Sequence, residues 1–202
     1  PEMLPALVTS ILALSGIVMA SRKALIRKLP AAETLGATSV ICSDKTGTLT
    51  ENRMTVTHVF AGGRSYAVTG KGYEIEGTFE LDSAAVSPAG EPALMQLLEC
   101  GFNCNNAHLS GQGGTGDPTE LALRICGAKA NLVVDGVQRL VEIPFDSSLK
   151  YMAVLVEAAG RRLIYVKGAP EVVTAMCSTE PDGDGHPIPF NPEAALHIAH
   201  TF

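Results

Sequence analysis

Apolar residues run almost unbroken from Leu4 to Ala20 (LPALVTSILALSGIVMA), roughly the length needed to cross a hydrocarbon core of about 30 Å. The basic cluster Arg22, Lys23, Arg27 and Lys28 follows at once. Lysine and arginine just past an apolar span mark the cytoplasmic side of a membrane. The pattern therefore predicts the end of a transmembrane helix, with everything after about residue 28 cytoplasmic. A buried helix of a soluble protein is the competing reading of the same run. Pro30 and Gly36 then break the pattern, and Ser39–Cys42 is a short apolar run of the kind a buried parallel strand shows. Asp44 stands just beyond it, where open α/β sheets gather their chemistry.

After Thr50 the texture changes to short β-rich runs, MTVTHVF, RSYAV and GYEIEGTF, punctuated by Gly62, Gly63, Gly70 and Gly72. They predict strands joined by tight turns. Residues 88–92 read as a loop, and Ala93 to Asn105 places apolar residues at helical spacing. GQGGTG, residues 111–116, reads as a flexible connector. The DPTE that follows predicts a helix running to about Ala130, capped by Asp117, with Pro118 in its first turn and Glu120 completing a capping-box pair. VQRLVEIPF, YMAVLVEA and RLIYVKG predict an antiparallel meander, and a helix should begin near Pro170. TEPDGDGHPIP reads as loop, and NPEAALHIAHTF as helix.

Composition narrows the classes. With 46% hydrophobic and 18% charged residues in 202, the chain has material for one or two globular cores. A net charge of −6, with basic residues scattered apart from the one cluster, argues against a nucleic-acid partner. Five cysteines without a CxxC pair suit free thiols in a reducing compartment. Cys100 and Cys104, one helical turn apart, read as small core residues rather than a metal site, and His197 and His200 as surface residues. GQGGTG lacks the Lys-Ser/Thr ending of a phosphate-cradling loop. The start at Pro1 and the helix-like last residues suggest a fragment.

The strongest chemical signal is CSDKTGTLTEN, Cys42 to Asn52. It resembles the signature of the P-type ATPases. The resemblance implies that Asp44 is a nucleophile that takes the terminal phosphoryl of ATP, splitting hydrolysis into formation and breakdown of an acyl phosphate. Lys45, Thr46 and Thr48 would belong to the same catalytic turn, with Asp44 and Thr46 near a Mg²⁺ ion, and Gly47 would let the backbone approach phosphoryl oxygens. In the wider haloacid-dehalogenase-like superfamily the position two after the nucleophile is often a second aspartate. Here it is Thr46. A hydroxyl serves poorly as acid and base, so the phosphoaspartate should persist.

Upstream, PEMLP resembles the proline-bounded break in the fourth transmembrane helix of these pumps, which makes Glu2 the candidate ligand of a transported cation. RKLPAAETLGA resembles the linker that follows. Downstream, CNNA, GDPTE, PFDSSLKYM and KGAPE resemble, in order, the nucleotide-binding domain of the family. By position the resemblance implies that Phe145 stacks on adenine, Glu120 beside Thr119 accepts from its amino group, Lys150 and Lys167 with Gly168 meet the nucleotide, and Met152 is an apolar wall. Ser147 stands where calcium pumps often carry an arginine, which implies lower nucleotide affinity.

The fold this implies is α/β and α+β. Residues 1–28 would be the end of a transmembrane helix, 29–54 the first part of a haloacid-dehalogenase-like phosphorylation domain, and 55–202 an antiparallel-sheet nucleotide-binding domain with flanking helices. The partners implied are ATP, Mg²⁺, a membrane and a transported cation. Calcium is the leading cation, although PEMLP also resembles magnesium importers. The family's later GDGxND motif does not occur in these residues, so the chain alone is expected to bind ATP weakly and not to turn over. Two other readings stay open: a soluble phosphatase or phosphotransferase of the same superfamily, and a nucleotide-binding module without catalysis.

Overall fold

A computed structural model describes residues 3–110, 113–132 and 136–202, apart from the side chain of Thr46. The chain divides into two compact units, Pro1–Glu51 and Asn52–Phe202.

In the first unit the apolar run forms α1, Leu4–Ser21, long and apolar enough to cross a membrane, with a mean hydropathy of 1.9 and no buried residue. Its few polar side chains are satisfied within the helix: Thr9, Ser10 and Ser15 each donate to the carbonyl four residues back at 2.9 Å. Pro30 and Gly36, expected only to interrupt, instead bracket a short helix, α2 (Pro30–Gly36), because proline fits a first helical turn. The strand expected over Ser39–Cys42 does not form: the segment is extended, unpaired and exposed, Val40 at 71% and Ile41 at 84%. A parallel strand needs neighbours for its N–H and C=O groups, and among the described residues this unit has no strand at all. Lys45–Leu49 is one wide π-type turn, with Gly47 left-handed at φ 74°. Gly47 N donates to Thr50 Oγ1 (3.2 Å), and Thr50 N to Lys45 O (3.1 Å).

The second unit opens with a four-stranded antiparallel sheet of β1 (His58–Ala61), β2 (Arg64–Val68), β3 (Phe79–Leu81) and β4 (Ala84–Val86), in that order. Gly62 and Gly63, both at positive φ, make the first turn. Most of GYEIEGTF is loop rather than strand. It closes on itself so tightly that a Cβ on Gly70 would lie 2.2 Å from Glu76 O, and Lys129 Nζ reaches in to donate to Thr69 O at 2.6 Å. α3 (Pro92–Asn103) lays Leu94 and Leu98 on Tyr66, Val68 and Phe79, forming the first core. At its start, Glu91 Oε2 accepts from the Tyr66 hydroxyl (2.7 Å) and from Arg64 (2.9 Å).

A three-stranded meander follows α4 (Pro118–Lys129): β7 (Val137–Asp146), β8 (Tyr151–Ala158) and β9 (Arg161–Gly168). Met152, Val154 and Val156 alternate inward onto Cys104 and make a second core. Burial pushes the Cys104 thiol up, and that of Cys100, on α3, to about 11.

Two expected loops contain strands. In GQGGTG, Gly113–Thr115 (β6) pairs with His108–Ser110 (β5), while Gly111 and Gln112 lie outside the described residues. Glycine is needed there for space, since a Cβ on Gly114 would fall 2.4 Å from Leu121 Cδ1. In TEPDGDGHPIP, Thr179–Pro181 (β10) pairs with Pro187–Pro189 (β11). The ladder's bonds run through Phe190 N to Ser178 O and Asp182 N to His186 O, and the three prolines occupy alternate rows that need no donor. The chain continues from β9 into α5 (Pro170–Val173), and past β11 into α6 (Pro192–Ala199), capped by Asn191.

Candidate functional site

The start of α4 organises the densest set of polar groups. Asp117 Oδ1 accepts from Thr119 N (2.8 Å) and Glu120 N (3.4 Å), and Pro118 fills the first helical position. Glu120 does not close a capping box. Its Oε1 accepts from Lys167 Nζ at 2.6 Å and its Oε2 from Asn106 N at 3.1 Å, so the carboxylate turns to the loop after α3 and to β9 instead. Asn105, buried, fastens that loop. Its amide donates to Glu120 O (2.7 Å) and Gly101 O (3.1 Å), while Oδ1 accepts from Ala107 N (2.8 Å). Gly116 completes the approach, since a Cβ there would lie 2.8 Å from Ala107 Cα.

Facing this helix start are β8 and β9. Met152 and Lys167 stand opposite each other in register, hence on one face of the sheet. Met152 has no exposed surface and forms a floor from within the second core. Gly168 keeps the next step open, as its Cβ would fall 2.5 Å from Lys150 O. Phe145, near the end of β7, is 62% exposed. These groups bound a cleft of about 570 Å³, apolar along Phe145, Leu123 and Met152, polar along Asn106, Glu120 and Lys167. The Glu120–Lys167 pair is shielded, the side chains 15% and 20% exposed. A ring with amine donors could lie on the phenylalanine and give its protons to the carboxylate, while the ammonium meets an anionic group. A larger hollow of about 850 Å³ lies elsewhere in this unit, lined chiefly by apolar side chains such as Phe60, Leu97 and Ile188.

Six of the seven residues expected to meet a nucleotide, Thr119, Glu120, Phe145, Met152, Lys167 and Gly168, thus line one cleft. Lys150 does not. It sits at φ 58° in the β7–β8 turn, and its ammonium pairs with Glu171 at 2.9 Å, holding that carboxyl below its usual range. The same turn is tied by Asp146, whose Oδ1 accepts from Ser148 N (2.7 Å) and Leu149 N (3.3 Å). Three lining residues had no nucleotide contact assigned from sequence: Asn106, Asp117 and Leu123. Leu123 was within reach, three positions past Glu120 and so on the same helix face. In the first unit Asp44, Lys45 and Thr48 are exposed, and the Asp44 carboxylate has no hydrogen bond among the described residues. Glu2 and the side chain of Thr46 lie outside the described residues.

Residues 93–201, more than half of the chain, match the family described as P-type ATPase, cytoplasmic domain N. The chain is 46% identical over 182 residues to a calcium-transporting ATPase of Bacillus subtilis (86% of this chain, 20% of that protein). It is 45% identical over 202 residues to the cation-transporting ATPase pma1 of Synechocystis (93% and 22%). It is 42% identical over 188 residues to the human calcium-transporting ATPase type 2C member 1 (89% and 20%). The chain thus spans about a fifth of the length of the curated relatives it matches.

Proposed function

The chain belongs to the P-type ATPase family, and from that premise we propose that it is part of an ATP-driven cation pump, whose second unit binds ATP in the cleft described above and whose Asp44 accepts the terminal phosphoryl. The observation that carries this reading is the convergence of Phe145, Glu120, Lys167 and Met152, drawn from four separate elements, on one cleft. Adenine would lie against Phe145 above Met152, its amino group on Glu120, and Lys167 would offset phosphate charge.

At Asp44 a carboxylate oxygen would form a bond to the γ-phosphorus as the bond from that phosphorus to the β–γ bridging oxygen breaks, and ADP leaves with that electron pair. The carboxylate is exposed and without a hydrogen bond among the described residues, so it is available. Its hard oxygens suit Mg²⁺, which usually takes one or two carboxylates together with substrate phosphates and supplies charge neutralisation at the transferring group. Asp44, with Thr46, would provide one side of that shell, and the rest of the parent protein the remainder. The positive φ of Gly47 turns the backbone after Asp44 so that its N–H groups can face an anion.

Residues 1–28 then end a transmembrane helix, 29–54 begin a haloacid-dehalogenase-like phosphorylation domain, and 55–202 are the nucleotide domain. On this reading the parent is a membrane protein with everything after about residue 28 in the cytoplasm, α1 lies in the membrane, and Glu2 contributes to the cation path. Calcium is the proposed cargo, supported by the names of the relatives and by RKLPAAETLGA. Partner strands from the parent would pair Ser39–Cys42. Titration of the detergent-solubilised chain with ATP in a calorimeter tests the cleft. Saturable, weak binding is expected, reduced about tenfold by Phe145→Ala, in line with the loss of one aromatic stack. No binding at millimolar ATP, or equal binding by Phe145→Ala, would refute the assignment.

A further inference from the structure

Asn106 lines the cleft beside Glu120, and its backbone N–H already holds one oxygen of that carboxylate at 3.1 Å. Its side-chain amide is committed in a second direction. Nδ2 donates to Glu142 Oε1 at 2.7 Å, and Glu142 is in turn braced by Arg139 at 3.1 Å, whose other nitrogen donates to Asn105 O at 3.1 Å. A carboxylate accepts and cannot donate, so Glu142 forces the NH₂ end of the amide toward itself. The carbonyl end, Oδ1, then has no partner among the described residues.

We propose that Asn106 is a specificity-determining residue of the cleft, with the Glu142–Arg139 pair acting through it as positioning residues, so that the pocket presents two acceptors, Glu120 and Asn106 Oδ1, to the exocyclic group of a purine. The inference rests on the reading of the cleft as a nucleotide site. An adenine amine carries two protons and satisfies both acceptors. A guanine presents a carbonyl oxygen at that place and leaves two acceptors facing a third, with no donor between them. Remove Glu142 and the amide is free to turn, offering its NH₂ to the guanine oxygen.

The test is the ratio of ATP to GTP affinity, measured by calorimetry on the full 202-residue chain in detergent, for the unaltered protein, Asn106→Ala and Glu142→Ala. The unaltered chain should prefer ATP. Asn106→Ala should weaken ATP by about 3- to 10-fold, as expected for one lost hydrogen bond, and should not weaken GTP, because it removes one of the acceptors that oppose the guanine oxygen. Glu142→Ala should narrow the ratio from both sides, weakening ATP and strengthening GTP. Arg124→Ala is the control. This residue lies on α4 with its guanidinium over the Phe102 ring at 4.3 Å, so its loss should move both affinities together or neither. If the variants weaken both nucleotides equally, or leave ATP untouched, the role assigned to Asn106 is wrong while the cleft remains a nucleotide site. If the unaltered chain binds neither nucleotide, the reading it rests on fails as well.

Discussion

Residues 3–51 and 52–202 differ in how they satisfy their own apolar residues. The second unit buries Tyr66, Phe79, Leu94, Met152, Val154 and Val156 almost completely, and its cleft is assembled from groups those cores hold in place. The first unit buries none of its described side chains. It contains the most distinctive motif in the chain, yet the run before Asp44 is unpaired, with Ile41 84% exposed. Chemical distinctiveness and structural self-sufficiency are therefore separate properties. A short motif loop is specified by a few side chains, whereas a sheet that would seat it needs hydrogen-bonding neighbours contributed by other segments.

Substitutions should sharpen that contrast. Leu94→Ala, in the first core, should lower the stability of the second unit by about 3 kcal/mol, from lost transfer energy and the cavity left behind. All four tyrosines, Tyr66, Tyr73, Tyr151 and Tyr165, lie in that unit, so tyrosine fluorescence in urea reports it alone. Next in size is a pH effect. Burial holds the thiols of Cys100 and Cys126 at about 11, against an ordinary 9.0. Between these values the unfolded chain gives up the proton and the folded chain keeps it, so stability is intact below about pH 9 and falls as pH rises toward 11, by roughly 2 kcal/mol per thiol at most. Circular dichroism in reductant should show the midpoint falling over that window, and Cys126→Ala should make the slope shallower. The smallest effect belongs to the first unit: Ile41→Ala should leave urea unfolding within about 0.5 kcal/mol of the unaltered chain. A loss like that of Leu94→Ala would mean that Ile41 is packed, and the contrast would collapse.

Much of the second unit was legible because its local signals agree with its tertiary demands. The Asp117-Pro118 cap, the alternation in Tyr151–Ala158 and the spacing of α3 all read through directly. Two of the misreadings, the loops expected over β6 and over β10–β11, have a common cause. Glycine and proline signal loops by propensity, but β6 has a glycine at 114 because Leu121 and His108 O leave no room for a Cβ, and β10–β11 tolerates prolines because they fall on rows without bonds. Those are properties of packing and register, set by residues far along the chain. Phe145, Glu120 and Lys167, which the ordered motifs singled out, line one cleft. Lys150 does not line the cleft; its ammonium pairs with Glu171, 21 positions away, a contact that no local sequence signal announces. Asn106 lies within the CNNA motif, but the motif does not single it out: the role proposed for it depends on Glu142, 36 positions away.

The central claim is that the carboxylate of residue 44 becomes bonded to phosphorus, and it is tested most directly by incubating the intact parent pump with γ-³²P-ATP, Mg²⁺ and the transported cation. The account predicts an acid-stable, hydroxylamine-labile label on the peptide containing Asp44, absent from Asp44→Asn. A label that persists in Asp44→Asn, or one that maps to another residue, would contradict it.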